Sequence, residues 1–180
     1  MSSSKDVLDF WFVQLSYHDW FRQDSVIDRK ITNQFDDLLR AARACELWHW
    51  RSTIEGRLAE IIVLDQFSRN IFRDHAEAFR ADTLALGLAQ EAVASAWHEH
   101  LQGPQRAFLL MPYMHSESRL IHIEAVRLFS APGLETNLDF ELRHKAIIDR
   151  FGRYPHRNQV LGRTSTPEEV EFLNQPGSSF

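Results

Sequence analysis

The sequence predicts an all-α, multihelical protein, and two observations carry this prediction. Apolar residues recur at spacings of three and four along most of the chain, as on one face of an α-helix. No segment shows the alternation of apolar and polar residues, or the Asn-Gly turn, that is typical of β-hairpins. Because 180 residues with 44% apolar content suffice for one buried core, we expect a single compact domain over residues 1–180.

The first three predicted helices follow from apolar stripes and capping residues. Ser4 as N-cap begins the first helix. The second is predicted from about Ser25 to Ala44, which leaves the neighbouring Cys45 buried. The third opens with the segment 52–55, Ser-Thr-Ile-Glu, which has the pattern of a capping box.

Glycine and proline divide the second half of the predicted helices. A helix is expected over residues 82–96, a break at Gly103-Pro104, and a short helix stopped by Met111-Pro112. Another begins near Ser116 and holds Leu120, Ile123, Val126 and Leu128 at helical spacing. The last two are predicted over 137–151, with Gly152 after its end, and from an N-cap at Thr166.

Charge is distributed unevenly along the chain. The formal net charge is −5, which argues against nucleic acid as a partner. The segment 143–163 nevertheless holds six basic residues and one acidic residue. A local basic patch on an acidic protein favours a small anionic partner.

Cysteine usage and apolar runs suggest a compartment. A single cysteine excludes an intramolecular disulfide, which favours a reducing, cytoplasmic location. The N-terminus lacks the layout of a signal peptide, and no apolar run reaches the ~20 residues that span a bilayer. We therefore expect no membrane association.

The segment 64–73 places a carboxylate on a buried helical stripe. Asp65 lies three and four residues after two isoleucines that face the core. A buried carboxylate needs donors or a cation, and Arg69 lies one turn further on. Asp65 is a carboxylate in a buried structural ion pair, a ligand-binding or catalytic carboxylate, or half of a solvated surface pair. Arg69, Gln66 and Asn70 are candidate ligand-binding residues beside it.

Candidate acid–base groups occur in two further segments. His115 and Glu117 flank a predicted helix start, where the helix dipole also stabilises a negatively charged glutamate. His144 lies among apolar residues, where a hydrogen-bonded core histidine is the commoner outcome. With His122 and His156 these are possible metal ligands, but their spacing matches no metal motif, so no metal or cofactor is predicted.

The segment 151–163 concentrates cations and amides in a turn after Gly152. Arginine offers two parallel donors to carboxylate or phosphate, and histidine can titrate near neutral pH. An anion site and a structural clamp on the last helix fit this segment equally well. Its candidate residues are His156 as an acid or base, and, as ligand-binding residues, Arg153, Arg157, Asn158 and Arg163.

Several strings together resemble an uncharacterised family, domain of unknown function family 924. They are Phe10-Trp11-Phe12, Trp20-Phe21, Asp65-Gln66-Phe67-Ser68-Arg69-Asn70, Met111-Pro112 with His115-Ser116-Glu117, Phe151-Gly152-Arg153-Tyr154-Pro155-His156-Arg157-Asn158 and Leu161-Gly162-Arg163. The resemblance covers nearly the whole chain. It implies an α–α superhelix of the tetratricopeptide-like type and no established activity. Ser68 and His122 stand where the family pattern leads us to expect proline and glutamine.

Three hypotheses of function follow. In the first, the three segments converge on a pocket between helices that binds, and transforms, a small anionic molecule. In the second, a helical groove binds a protein partner such as an acidic peptide. In the third, the motifs form a structural salt-bridge network. The sequence indicates neither a reaction nor an oligomeric state.

Overall fold

Ten α-helices make up the protein in the computed structural model, which describes residues 2–179. They are α1 Ser4–Asp9, α2 Tyr17–Phe21, α3 Ser25–Arg43, α4 Ile54–Ile62, α5 Ser68–Ile71, α6 Asp82–Ala94, α7 Gly103–Met114, α8 Arg119–Phe129, α9 Glu135–Phe151 and α10 Pro167–Leu173. Residues 2–179 contain no β-strand, so the all-α prediction is confirmed. No helix in this part of the chain is long and apolar enough to cross a membrane.

Short helical segments of other types connect these helices. Two π-helical segments, Phe10–Gln14 and Val63–Phe67, extend α1 and α4. The 3₁₀ segments are Trp48–Ser52, Ala76–Phe79, Trp97–His100 and Pro155–Arg157. Because Val63–Phe67 joins α4 directly to α5, residues 54–71 form one continuous helical rod through the core.

The apolar stripes of α1, α3, α4, α6 and α7 pack into one large hydrophobic cluster. Aromatic rings dominate its centre, where Phe35 and Phe67 stack at 4.7 Å and Trp11 meets Phe67 and Phe108 edge-on. A smaller cluster of Ile147, Ile148 and Tyr154 lies under the C-terminal turn. The first cluster fixes the rod of residues 54–71 and helix α7. The rod carries most of the segment 64–73, and α7 carries the start of the segment around His115.

Several predicted helix starts are corrected by one or a few residues. Ser3, not Ser4, is the N-cap of α1. The expected capping box at Ser52 is wrong, because a 3₁₀ turn occupies Trp48–Ser52 and Thr53 caps α4 instead. Gly56 allows this tight approach, since a Cβ there would lie 2.2 Å from the carbonyl oxygen of Trp50.

The break expected at Gly103-Pro104 is the start of α7, and Pro112 does not stop that helix. Residues 107–114 are all buried. Their packing outweighs the ~3 kcal/mol that an internal proline costs a helix.

The apolar stripe predicted for α8 is buried only in part, because Leu128 is buried and two of its other residues are exposed. Leu120 and Ile123 are 73% and 61% exposed. The inner face carries Ala125, Leu128 and Phe129 together with His122, which is paired with Glu141 of α9.

The prediction for Cys45 is wrong, whereas those for the ends of the last two helices are confirmed. Cys45 is exposed rather than buried, because the chain leaves α3 there in a left-handed turn. Gly152 ends α9 in a left-handed conformation and Thr166 caps α10, as predicted. The single-domain organisation, the tetratricopeptide-like arrangement and the cytoplasmic location remain predictions.

Candidate functional site

A cleft of about 480 Å³ opens between the start of α6, the end of α7 and the C-terminal turn. The segments that line it are distant in sequence. Its lining residues are Ala76, Glu77, Phe79, Arg80, Asp82, Thr83, Leu86, Pro112, His115, Ser116, Glu117, Arg157 and Leu161.

Asp65 lies directly behind this cleft. The π-helical segment Val63–Phe67 turns its side chain inward, and the residue is fully buried. Its Oδ1 contacts Nδ1 of His115 at 2.7 Å and Nη1 of Arg69 at 3.1 Å. Its Oδ2 accepts a hydrogen bond from Nε2 of Gln66 at 2.5 Å. Both carboxylate oxygens are therefore satisfied, as burial requires.

The ionisation states of this group follow from its neighbours. Burial alone would raise the pKa of Asp65, but the charge of Arg69 and the contact with His115 hold that pKa below its ordinary value. Burial lowers the pKa of His115, although Asp65 opposes this effect. At neutral pH the site therefore holds a carboxylate beside a neutral imidazole.

Asp82, at the start of α6, joins two arginines. Arg69 binds both of its oxygens, at 3.1 and 3.0 Å. Arg157 reaches the same carboxylate from the C-terminal turn, with a longer Nη1 to Oδ2 distance of 3.5 Å. Contacts thus run unbroken from His115 through Asp65, Arg69 and Asp82 to Arg157.

Arg157 contacts two aromatic rings. Its guanidinium carbon lies 4.6 Å from the ring centre of Phe79 and 4.6 Å from that of Tyr154. The residue is only 7% exposed, and its buried Nε has no hydrogen-bond partner among the described residues. Burial, followed by the nearby charge of Arg69, lowers the pKa of Arg157. Its positive charge is therefore only partly compensated.

Glu117 faces the cleft and anchors the C-terminal turn. It accepts hydrogen bonds from both terminal nitrogens of Arg163, at 2.7 and 3.0 Å, and from the backbone N–H of Tyr154 at 2.8 Å. Burial tends to raise the pKa of Glu117, but these bonds lower it overall. Glu117 is thus an ionised carboxylate that is already well occupied.

Tyr154 is the centre of a group of histidine rings. His144 meets its ring edge-on at 5.7 Å, and His156 lies at 5.5 Å. Burial lowers the pKa of His144 to about 3. Burial and the charge of Arg157 lower that of His156 to about 4. Both imidazoles are neutral at physiological pH, and neither lines the cleft.

His122 and Glu141 form a second, fully buried pair, between α8 and α9. Nδ1 of His122 lies 2.6 Å from Oε1 of Glu141. Its Nε2 lies 2.8 Å from the carbonyl oxygen of Ser116 and 3.2 Å from the hydroxyl of Tyr154. This pair ties α8 and α9 to the loop that carries His115.

Arg153 and Asn158 lie outside the cleft lining. Arg153 binds both oxygens of Glu169 at 2.6 and 2.7 Å, and Asn158 reaches the same glutamate at 3.3 Å. Glu169 also closes the capping box of α10 with Thr166. These contacts pin α10 to the turn, which is the structural role that the sequence left open.

Asn70 also lies away from the cleft. Its amide donates to Asp28 of α3 at 2.8 Å, beside the bidentate pair of Arg73 with Asp28. Its contacts link α5 to α3.

The structure thus brings the three segments together only in part. Of the candidates predicted from sequence, those at or directly behind the cleft are Asp65, Gln66, Arg69, His115, Glu117, Arg157 and Arg163. Sequence reasoning missed Asp82, which it treated only as part of a helix, and Phe79. A carboxylate in the first turn of α6 was the one available signal for Asp82.

The histidines and carboxylates do not assemble into a metal centre. Within residues 2–179, no group of three or more His, Cys, Asp or Glu side chains could hold a metal ion. The contacts found instead are pairs, such as His115 with Asp65 and His122 with Glu141.

Comparison with known proteins supports the resemblance noted from the sequence. Residues 7–177 match the family described as bacterial proteins of unknown function, DUF924. The solved structure of a protein of unknown function from Agrobacterium tumefaciens is similar, with 34% identity and a TM-score of 0.90 over 95% of this chain and 96% of that one. No curated protein matches the chain. The chain therefore belongs to the DUF924 family.

Proposed function

We propose that the protein binds a small anionic molecule, with a phosphate or carboxylate group, in the cleft, and that Arg157 is the main contact. The observation that carries this proposal is that the Arg157 guanidinium is buried and incompletely paired. It is a buried cation in the cleft wall, with one long ion pair and an unpartnered Nε. A buried charge of this kind is stabilised when a counter-ion binds beside it.

Three partly exposed arginines show what a guanidinium with its own carboxylate looks like in this protein. Arg51 and Arg73 each bind a carboxylate through Nε and a terminal nitrogen, with all distances at or below 2.8 Å. The terminal nitrogens of Arg69 contact two carboxylates: Nη1 lies 3.1 Å from Asp65 and Nη2 lies 3.0 Å from Asp82. Arg157 shares Asp82 with Arg69 and has no carboxylate of its own.

The two aromatic rings favour recognition of an anion that accepts parallel hydrogen bonds. Phe79 and Tyr154 both contact the guanidinium of Arg157, which limits its motion and pre-organises its donors. Carboxylate and phosphate accept two parallel N–H bonds from such a plane. A cleft of about 480 Å³ has the size typical of small-molecule sites.

The peptide-adaptor hypothesis receives less support. It predicted polar motifs spread along an open groove, whereas Asp65, His115 and Arg157 group around one cleft. The structural-network hypothesis is favoured for Arg153, Asn158 and Arg163, whose contacts hold helix α10 and the C-terminal turn.

Thermal unfolding in the presence of inorganic phosphate and of benzoate tests the proposal. We expect both anions to stabilise the wild type by RT ln(1 + [L]/Kd), about 2.7 kcal/mol at 100 times Kd. Arg157→Gln should abolish this effect. Arg143→Gln is the matched control, because Arg143 stacks on Phe140 and has no ion pair among the described residues. An equal anion effect in all three proteins would contradict the proposal.

A further inference from the structure

Residues 2–179 contain two buried carboxylate–histidine pairs that differ in one respect. In the pair of His122 with Glu141, both imidazole nitrogens are occupied. In the pair of His115 with Asp65, only Nδ1 is occupied. His115 lines the cleft and its side chain is 15% exposed, so Nε2 is the nitrogen left for the cleft.

The hydrogen bonds of Asp65 fix the tautomer of His115. An ionised carboxylate only accepts hydrogen bonds, so Nδ1 of His115 carries the ring proton. Nε2 then presents a lone pair to the cleft. In the His122 pair, the carbonyl oxygen of Ser116 can only accept, so Nε2 carries a proton. The contact of Nδ1 with Glu141 then needs a second proton, on the imidazole or on the carboxyl group, whose pKa burial raises.

Asp65 is also placed to stabilise a positive charge on His115. It lies against Nδ1, where an imidazolium would keep its second proton. Arg69 and Gln66 hold the Asp65 carboxylate in position and keep it ionised. A carboxylate that orients an imidazole and offsets its charge is the arrangement used by general bases in hydrolases.

We propose that His115 is the catalytic base of the cleft, and that its Nε2 takes a proton from a water molecule beside the bound anion. This inference rests on the proposed anion site. The water O–H bond breaks and an Nε2–H bond forms, while the water oxygen keeps the electron pair. That oxygen then bonds to the electrophilic atom of an ester group in the ligand. The bond to the leaving oxygen breaks, and the imidazolium returns its proton to that oxygen.

The other candidate bases fit this role less well. His144 and His156 do not line the cleft. Glu117 accepts three hydrogen bonds, two of them from Arg163, and is poorly placed to accept a proton. The charged groups around His115 are Asp65 and Arg69 directly, and Asp82 beyond them.

Nuclear magnetic resonance of ¹⁵N-histidine-labelled full-length protein tests the assignment. The His115 signals are identified by their loss in His115→Gln. At pH 7.5 we expect a protonated Nδ1 and an unprotonated Nε2 in the wild type.

Two variants should then move the His115 titration in opposite directions. Asp65→Asn removes the neighbouring negative charge, so the midpoint should fall by roughly 1–3 pH units. Arg69→Gln removes a positive charge, so the midpoint should rise. Asp9→Asn, which alters an exposed pair with Lys5 on α1, is the matched control and should leave the midpoint unchanged.

A proton on Nε2 in the wild type, or a midpoint that does not respond to Asp65→Asn, would overturn the assignment of His115 as the base. Addition of inorganic phosphate or benzoate should shift the His115 signals of the wild type but not those of Arg157→Gln. If the tautomer is as expected and neither anion shifts the signals or raises the unfolding temperature, anion binding at Arg157 is refuted separately.

Discussion

Replacement of Arg157 by methionine separates a binding residue from a structural one. Asp82 would keep its two bonds to Arg69, at 3.0 and 3.1 Å, so no carboxylate is left without a partner. The losses are one contact at 3.5 Å and two ring contacts, each about 1 kcal/mol. Removal of a partly compensated buried charge recovers several kcal/mol of desolvation free energy. We therefore expect the free energy of unfolding of Arg157→Met to lie within about 1 kcal/mol of the wild-type value.

Urea unfolding measures this difference directly. Arg163→Met is the comparison. It removes two charge-assisted hydrogen bonds to Glu117, so its free energy of unfolding should fall by about 2 kcal/mol. If Arg157 were a structural clamp, its loss would destabilise the fold by about 3–5 kcal/mol. A value in that range would refute the reasoning that its charge is held for a ligand.

Three further predictions concern stability. Tyr154→Phe leaves the buried carbonyl oxygen of Met114 without its 2.6 Å bond and should lose about 1–3 kcal/mol in urea unfolding; an unchanged stability would contradict this. His144 stays neutral in the fold, with a pKa of about 3, but takes up a proton when unfolded near pH 6.5, so acid favours unfolding. Between pH 6.5 and 4.5 the free energy of unfolding of the wild type should therefore fall by roughly 2 kcal/mol. In His144→Gln the free energy of unfolding should depend less on pH over this range. Leu120→Ser and Ile123→Ser should change stability by less than about 0.5 kcal/mol, because both side chains are exposed, and a loss above 2 kcal/mol would show a buried face.

The helices could be predicted from the sequence because their signals are local. Apolar stripes fixed α3 to within one residue, and the capping residues of α10 fixed its start. The errors arose where distant contacts override local preference. Pro112 stays inside α7 because the helix is buried around it, and α8 leaves Leu120 and Ile123 exposed because His122, paired with Glu141, lies on its inner side.

The candidate site was predictable only in its parts. The spacing of Asp65 and Arg69 correctly indicated a buried pair. Nothing local distinguished Arg157 from Arg153, which lie four residues apart in the same turn. Their roles differ because Glu169 of α10 pairs with Arg153, whereas Arg157 meets a carboxylate already bound by Arg69. Such partner choice depends on tertiary contacts between segments 75 residues apart.

The most direct test of anion binding is to locate a bound anion. A crystal of the protein soaked in selenate, a phosphate analogue with anomalous scattering, would show where anions bind. We expect selenate in the cleft, within hydrogen-bond distance of the Arg157 guanidinium. Selenate bound only at surface arginines, with none at Arg157, would contradict the account.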